Sequence, residues 1–264
     1  MQPAQRIAQN TVILYARMAI TVFISLYSTR LILEALGAGD YGILNVVGGA
    51  IAMLLFLNNA MTTATQRFMS YSQGIDNKEK QIQIFNVSVV LHLLIAGIIF
   101  LVLEGAGYIL FDGILKISPE RLEAAKLIYQ FMVFSTLFTV VSVPYDALIN
   151  AHENMLLVAI LGIVDAFLKL AIAFYILHTP YDKLAAYGFL LAVLTVFGLV
   201  LRQLYCRRFY AESRISFSRH FNKELFVEMS RFAGWSFLGA TTSMFGYYGQ
   251  GIVLNVFFGT VVNA

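Results

Sequence analysis

Seven separate stretches of the chain are apolar around the whole circumference of a helix, and each is long enough to cross a bilayer. A hydrocarbon core of about 30 Å takes roughly 20 apolar residues in a helix. The stretches Thr11 to Leu36, Tyr41 to Met69, Ile84 to Leu110, Leu127 to Ile149, Met155 to Leu177, Leu184 to Leu204 and Phe232 to Phe258 all reach that length. Barrel strands would alternate apolar and polar residues over about 10 positions, and no such alternation runs through this sequence. Only 12% of residues are charged, against about 25% in a soluble domain, too few to cover a globule in water. The chain reads as an all-α integral membrane protein. Secreted disulfide-rich, disordered and nucleic-acid-binding classes are excluded, and the one cysteine, Cys206, leaves neither a disulfide framework nor a thiolate metal cluster.

The basic residues give the orientation. Sorted by alternate sides of the spans, eleven fall on the side of Arg6, four (Lys116, Arg121, Lys126 and Lys183) on the other, and Arg17, Arg30 and Lys169 within spans. The positive-inside rule makes the N-terminus cytoplasmic. Only Arg6 precedes the first apolar run, which outlasts a signal-peptide core, so the first span is expected to stay in the mature protein.

Short connections, the tightest being Gly37 to Asp40 and Asn150 to Asn154, join the first six spans into an expected N-terminal lobe over residues 1–204. Residues 205–231 form a polar connector. Within it Phe221, Leu225, Phe226 and Met229 recur at helical spacing opposite Lys223, Glu224 and Glu228, which reads as an amphipathic helix on the cytoplasmic surface. Residues 232–264 then read as the first helix of a second lobe, cut off after the seventh span.

Two motifs mislead. Gly37 to Gly42 spells GAGDYG, but a nucleotide fingerprint needs a preceding strand and an acid about 20 positions on, and the next acid is Asp76. The glycines suit a tight turn between helices. Asn86-Val87-Ser88 spells a sequon on the expected cytoplasmic side, where no glycan is added. No histidine has a second ligand at i+3 or i+4, and no nucleophile constellation is present, so neither a metal site nor an enzyme is read.

Polar groups inside the spans carry the functional signal, because an ionisable residue at a helix centre costs about 2.5–3.5 kcal/mol on insertion scales and asks for a partner or a wet cavity. Span one holds Arg17, and further along Arg30 and Glu34, one turn apart and able to pair. Arg17 and Arg30 are separated by roughly 220° around the helix and do not share a face. In span two Asn58, Asn59, Thr62, Thr63 and Gln66 form a broad stripe. Asp165 and Lys169 stand one turn apart in span five, as a structural ion pair or a functional one. Glu104 and Asp146 lie nearer the span ends, Asp146 two residues after Pro144, which should bend span four.

Four segments carry a family resemblance: Arg30 with the following LILEALGAGDYGILNVVGG, NNAMTTATQRFMSY (Asn58 to Tyr71), VPYDALINAHENM (Val143 to Met155) and RFAGWSFLG at the start of span seven. The chain resembles bacterial polysaccharide transporters, the O-antigen and exopolysaccharide flippases of the multidrug/oligosaccharidyl-lipid/polysaccharide superfamily. The resemblance implies a MATE-like fold of two six-helix lobes around a cavity open alternately to each side. It implies a multi-pass protein of the bacterial inner membrane that moves undecaprenyl-pyrophosphate-linked oligosaccharide to the periplasmic leaflet, among membrane lipids and the polysaccharide polymerase machinery. No cofactor is implied beyond a H⁺ or Na⁺ gradient. Arg17 and Arg30 would meet the anionic head, and Asn58, Asn59, Thr62, Thr63 and Gln66 the sugar hydroxyls. Glu34, Asp165, Lys169 and Asp146 are the candidates for ion coupling or ion pairing. The alternative in the same superfamily is a H⁺- or Na⁺-coupled multidrug antiporter, against which two arginines in the cavity would argue.

Overall fold

A computed structural model describes residues 3–52, 55–115, 117–216, 221–236, 238–239 and 242. Their regular structure is helical, with no strand among the described residues. Five of the helices are long and apolar enough to cross a membrane. The elements are α1 (Pro3–Ala52), α2 (Leu55–Gly74), α3 (Lys78–Ile109) with a π turn at Leu110–Ile114, α4 (Pro119–Ala151), α5 (Met155–His178) and α6 (Lys183–Phe209) with a 3-10 turn at Ala211–Ser213.

α1 is two rods. Gly37 has φ 71° and ψ 172°, outside the helical region, and divides it into span one and the first part of span two, which α2 completes. The backbone there needs the left-handed half of the map, where only a residue without Cβ is unstrained. Gly39 and Gly42, also expected to make the turn, are helical. One of the expected turns between spans is thus reduced to a single residue.

The other boundaries follow from capping. Asn77, Asn154 and Asp182 each accept a hydrogen bond from a backbone N–H in the first turn of α3, α5 and α6, satisfying donors a helix start leaves open. Pro119 opens α4 at a position where its missing N–H costs nothing. Pro144 sits inside α4, which continues through it to Ala151.

α4 is the hub, packed against α1, α2, α3, α5 and α6, while α1 runs along α5. One core cluster joins Met69, Phe85, Tyr145 and Leu148, a second Val47, Leu103, Tyr129 and Val133, and a third Leu31, Ile32, Ala173 and Ile176. Large apolar side chains such as Phe23, Leu101 and Phe167 stand on the outside of the bundle, where a bilayer rather than water is the suitable neighbour.

The connector differs from its expected form. Tyr205 to Phe209 still belong to α6, and residues 223–236 are helical without a break, so the expected amphipathic helix runs on into the beginning of span seven. Its Leu225, Met229 and Ala233 are buried in the same cluster as Met69 and Phe85. Of the apolar stripe, Leu225 and Met229 face the lobe's own core and Phe226 packs partly against it, while Phe221 stands exposed. Asn86 clamps the segment before it: Nδ2 donates to the carbonyls of Ile82 (2.9 Å) and Arg214 (3.1 Å), and Oδ1 accepts from the Ser216 N–H at 2.7 Å. This Asn is wholly buried and its sequon is closed to modification. Most of span seven lies outside the described residues.

Candidate functional site

A cavity of about 410 Å³ opens where α1, α4, α5 and α6 meet. Helical periodicity brings Ser142 and Asp146 of α4 onto one face, and Arg202 of α6 reaches across to them. Arg202 Nε donates to Asp146 Oδ1 at 2.6 Å and its Nη1 to the Gly198 carbonyl at 3.0 Å, while Ser142 Oγ donates to Asp146 Oδ2 at 3.3 Å. On α5 the expected i,i+4 pair is formed: Lys169 Nζ lies 2.8 Å from Asp165 Oδ2.

Arg17 of α1 enters the same cavity but joins none of the ion pairs among the described residues. Its guanidinium lies against Gly162 of α5, where a Cβ would collide with Nε and Cζ. Gly162 is therefore the seat that lets a long cation lie flat between two helices.

A second cavity of about 470 Å³ shares Arg17, Gly162, Asp165 and Lys169 with the first and continues along α1 past Thr21, Ser25, Ser28 and Thr29. The hydroxyls of Thr21, Ser28 and Thr29 donate to carbonyls of their own helix at 2.8–2.9 Å, and their oxygens keep acceptor capacity. Arg17 stands at the junction of the two spaces. Together the cavity linings hold three cations (Arg17, Lys169, Arg202) and two carboxylates (Asp146, Asp165), a net charge of +1.

The structure gathers Arg17, Asp146, Asp165 and Lys169 into one site. It leaves others elsewhere. Arg30 and Glu34 are both exposed and make no ion pair among the described residues, so the pair open to them in sequence is not formed. Thr62, Thr63 and Gln66 lie on α2, away from the cavity, with Thr63 exposed and the other two half-buried. The side chains of Asn58 and Asn59 lie outside the described residues. The buried hydroxyl of α2 is instead Thr65, 3.1 Å from Ser88 Oγ, which in turn is 3.3 Å from His92 Nδ1.

Sequence reasoning missed Arg202, Ser142 and Gly162. Arg202 had a usable signal: it falls inside the apolar stretch Leu184 to Leu204, where a cation needs a partner.

Ion pairs also fasten the two ends of the lobe. At the Gly37 end, Arg121 of α4 bridges Asp40 and Asp182, donating through Nε to Asp40 Oδ1 at 2.8 Å. Burial pushes the Asp182 carboxyl up, but Arg121 and the Ala185 N–H outweigh it and hold the carboxyl below its ordinary range. At the Asn150–Asn154 end, His152 Nε2 lies 2.5 Å from Glu212 Oε1 and its ring stacks on Tyr210 at 4.1 Å. Burial raises the Glu212 carboxyl, and the His152 contact more than reverses it, for a net lowering.

No protein-family model matches the chain, and no curated protein is similar to it. Solved structures are. A crystal structure of MATE in complex with MaD3S aligns with a TM-score of 0.78 at 15% identity, covering 100% of this chain and 59% of that one. An outward-facing multidrug resistance MATE family transporter of the MOP superfamily aligns with a TM-score of 0.79 at 12% identity, over 98% of this chain and 57% of its own. A MOP superfamily transporter from Pyrococcus furiosus, described as having a binding pocket of reverse polarity that suggests a different function, aligns at 0.73 and 12% identity, over 96% and 57%. The chain thus spans about three-fifths of the length of the solved structures it matches. Its fold is that of the MATE transporters of the MOP superfamily, and it is a multi-pass membrane protein whose regular structure is helical among the described residues.

Proposed function

We propose that this chain serves a transporter that moves undecaprenyl-pyrophosphate-linked oligosaccharide from the cytoplasmic to the periplasmic leaflet of a bacterial inner membrane, by alternating access, for surface polysaccharide biosynthesis. The observation that carries this reading is the charge of the cavity. Asp146 and Asp165 are each neutralised by a cation of the protein's own, and Arg17 remains as the positive charge in excess. A cationic drug would have to displace Arg202 or Lys169 to reach a carboxylate. A pyrophosphate needs no such exchange and finds a guanidinium with its donors in fork geometry. Next to Arg17 the oxygens of Thr21, Ser28 and Thr29 offer hydrogen bonds to sugar hydroxyls.

The second reading, a H⁺- or Na⁺-coupled multidrug antiporter, is favoured by the multidrug resistance protein among the structures of the same fold. The Pyrococcus furiosus transporter, described by the reversed polarity of its pocket, supports taking cargo from cavity charge rather than from fold.

Binding discriminates the two readings. The purified chain in detergent is titrated with a radiolabelled undecaprenyl-pyrophosphate disaccharide and, separately, with ethidium. Arg17→Ala is expected to weaken the lipid at least tenfold and to leave ethidium unaffected. Ethidium binding that tightens in Arg17→Ala, with no lipid binding by the parent chain, would overturn the flippase reading in favour of the drug exporter.

A further inference from the structure

α6 has two faces of opposite character. One lines the arginine-bearing cavity with Thr195, Gly198 and Arg202. The opposite face carries Phe189, Val193, Phe197, Val200 and Leu204, each between 41% and 60% exposed. By the 3.6-residue period these five fall in a sector of roughly 80°, along roughly 22 Å of helix. On a span that crosses a membrane, an apolar stripe left uncovered by the protein lies against acyl chains.

The stripe stops at Leu204, and the next turn carries Arg207 and Arg208, both exposed. The two lie at the edges of the stripe, roughly 100° apart around the helix. Neither enters an ion pair among the described residues, and Glu212, the next acid along the chain, is taken by His152. The same level holds an aromatic group. Asn154 Nδ2 donates to the Tyr205 and Tyr210 hydroxyls at 2.8 and 3.2 Å, and the Phe209 ring packs on Tyr205 at 4.6 Å. Tyrosines gather in this way where a helix leaves hydrocarbon for water, and here they fasten the last turn of α6 to the start of α5.

Two guanidiniums bracketing the end of an apolar stripe match a ligand with an anionic head and a hydrocarbon tail. A tail would lie on Phe197, Val200 and Leu204, and phosphate oxygens between the two planar donor forks. A soluble polyanion would use the arginines and leave the stripe idle. The negative end of the helix dipole favours cations in this last turn, but it does not call for an apolar stripe leading up to them.

We propose that Arg207, Arg208 and the exposed stripe of α6 form a site for one anionic diacyl phospholipid on the outer surface of the lobe, on the side of α6 away from the arginine-bearing cavity. The site is the same whichever cargo the transporter moves. Each basic residue at a headgroup surface contributes about a fivefold factor in affinity, so the pair contributes about 25-fold.

The test is equilibrium binding of radiolabelled dioleoyl phosphatidylglycerol to the full 264-residue chain in detergent, with dioleoyl phosphatidylcholine as the zwitterionic competitor. The chain is expected to bind one phosphatidylglycerol saturably, to hold it against a tenfold excess of phosphatidylcholine, and to release it as salt is raised. Arg207→Gln combined with Arg208→Gln is expected to weaken binding at least tenfold, while Arg207→Lys combined with Arg208→Lys keeps it within about threefold of the parent. Lys223→Gln, exposed beyond the connector, is expected to change nothing. Leu204→Gln keeps both arginines and is expected to weaken binding at least threefold. That variant decides the matter if the double glutamine variant does not purify as a monodisperse protein. No preference for phosphatidylglycerol over phosphatidylcholine in the parent chain overturns the proposal. So does binding indifferent to the double glutamine variant or to Leu204→Gln. Binding lost in Arg17→Ala and retained in the double glutamine variant would move the lipid into the cavity, and displacement by a tenfold lower concentration of undecaprenyl pyrophosphate would give the site to a cargo lipid; either result overturns the proposal as well.

Discussion

Replacing Asp165 by Asn turns the charge argument into a number. The substitution keeps the side chain's size and removes one negative charge, so the cavity lining goes from a net +1 to +2 and Lys169 loses its partner at 2.8 Å. Both side chains are about half exposed, 47% for Asp165 and 52% for Lys169, so the effective dielectric is nearer that of water than of a protein interior. With a dielectric of about 40 and about 8 Å to a bound phosphoryl group, each unit of ligand charge gains about 1 kcal/mol. A pyrophosphate with two charges then gains about 2 kcal/mol, or about 30-fold in affinity at low salt, shrinking toward about fivefold at physiological ionic strength. The fold is little disturbed, because an i,i+4 pair of this exposure contributes only about 0.3–0.5 kcal/mol. Lipid-linked pyrophosphate binding measured at two ionic strengths reads the effect directly. Tighter binding with a steeper salt dependence supports the reasoning. Affinity that is unchanged or weaker refutes it and returns Asp165 to the role of a carboxylate that receives a cationic ligand.

Two further outcomes concern stability. Arg202→Met strands Asp146 in the cavity, and because the pair is 28% and 36% exposed the cost falls between that of surface and buried pairs, about 2 kcal/mol or about 4–8 °C in melting temperature; adding Asp146→Asn should restore most of it, and a double variant as damaged as the sum of the singles would deny the pair. At the Gly37 end, the lowered Asp182 carboxyl contributes stability that is whole above the unfolded value near pH 3.9 and lost as pH falls through the lower folded value. Melting temperature should therefore fall more steeply between about pH 5 and pH 2 in the parent chain than in Arg121→Ala, and equal slopes would mean that the Arg121 bridge is not what lowers Asp182.

What the sequence makes legible follows from how local each feature is. The helical class, the turn at Gly37 and the Asp165–Lys169 pair rest on hydropathy, on the steric privilege of glycine and on a one-turn spacing, all of which are fixed within a few residues. The Asp146–Arg202 pair joins residues 56 apart on two helices, and no periodicity reports which faces of α4 and α6 meet. The stripe on α2 shows the same limit from the other side. Its polar spacing is genuine, yet packing against α3 and α4 rotates Thr65 into the buried position and leaves Thr63 outside. Likewise the stripe of Leu225 and Met229 gives amphipathicity correctly, but hydropathy alone does not distinguish a lipid surface from a protein core as the apolar partner.

α4 lines the positive cavity on both sides of its proline. Thr139 and Ser142 precede Pro144, and Asp146 follows it by two residues. The missing N–H at Pro144 removes one rung of the helical hydrogen-bond ladder. Arg202 fastens Asp146 to α6 at 2.6 Å, while Ser142 reaches the same carboxylate at 3.3 Å from the other side of the proline. The weakest rung of α4 thus falls inside the positive cavity itself, between its hydroxyls and its carboxylate.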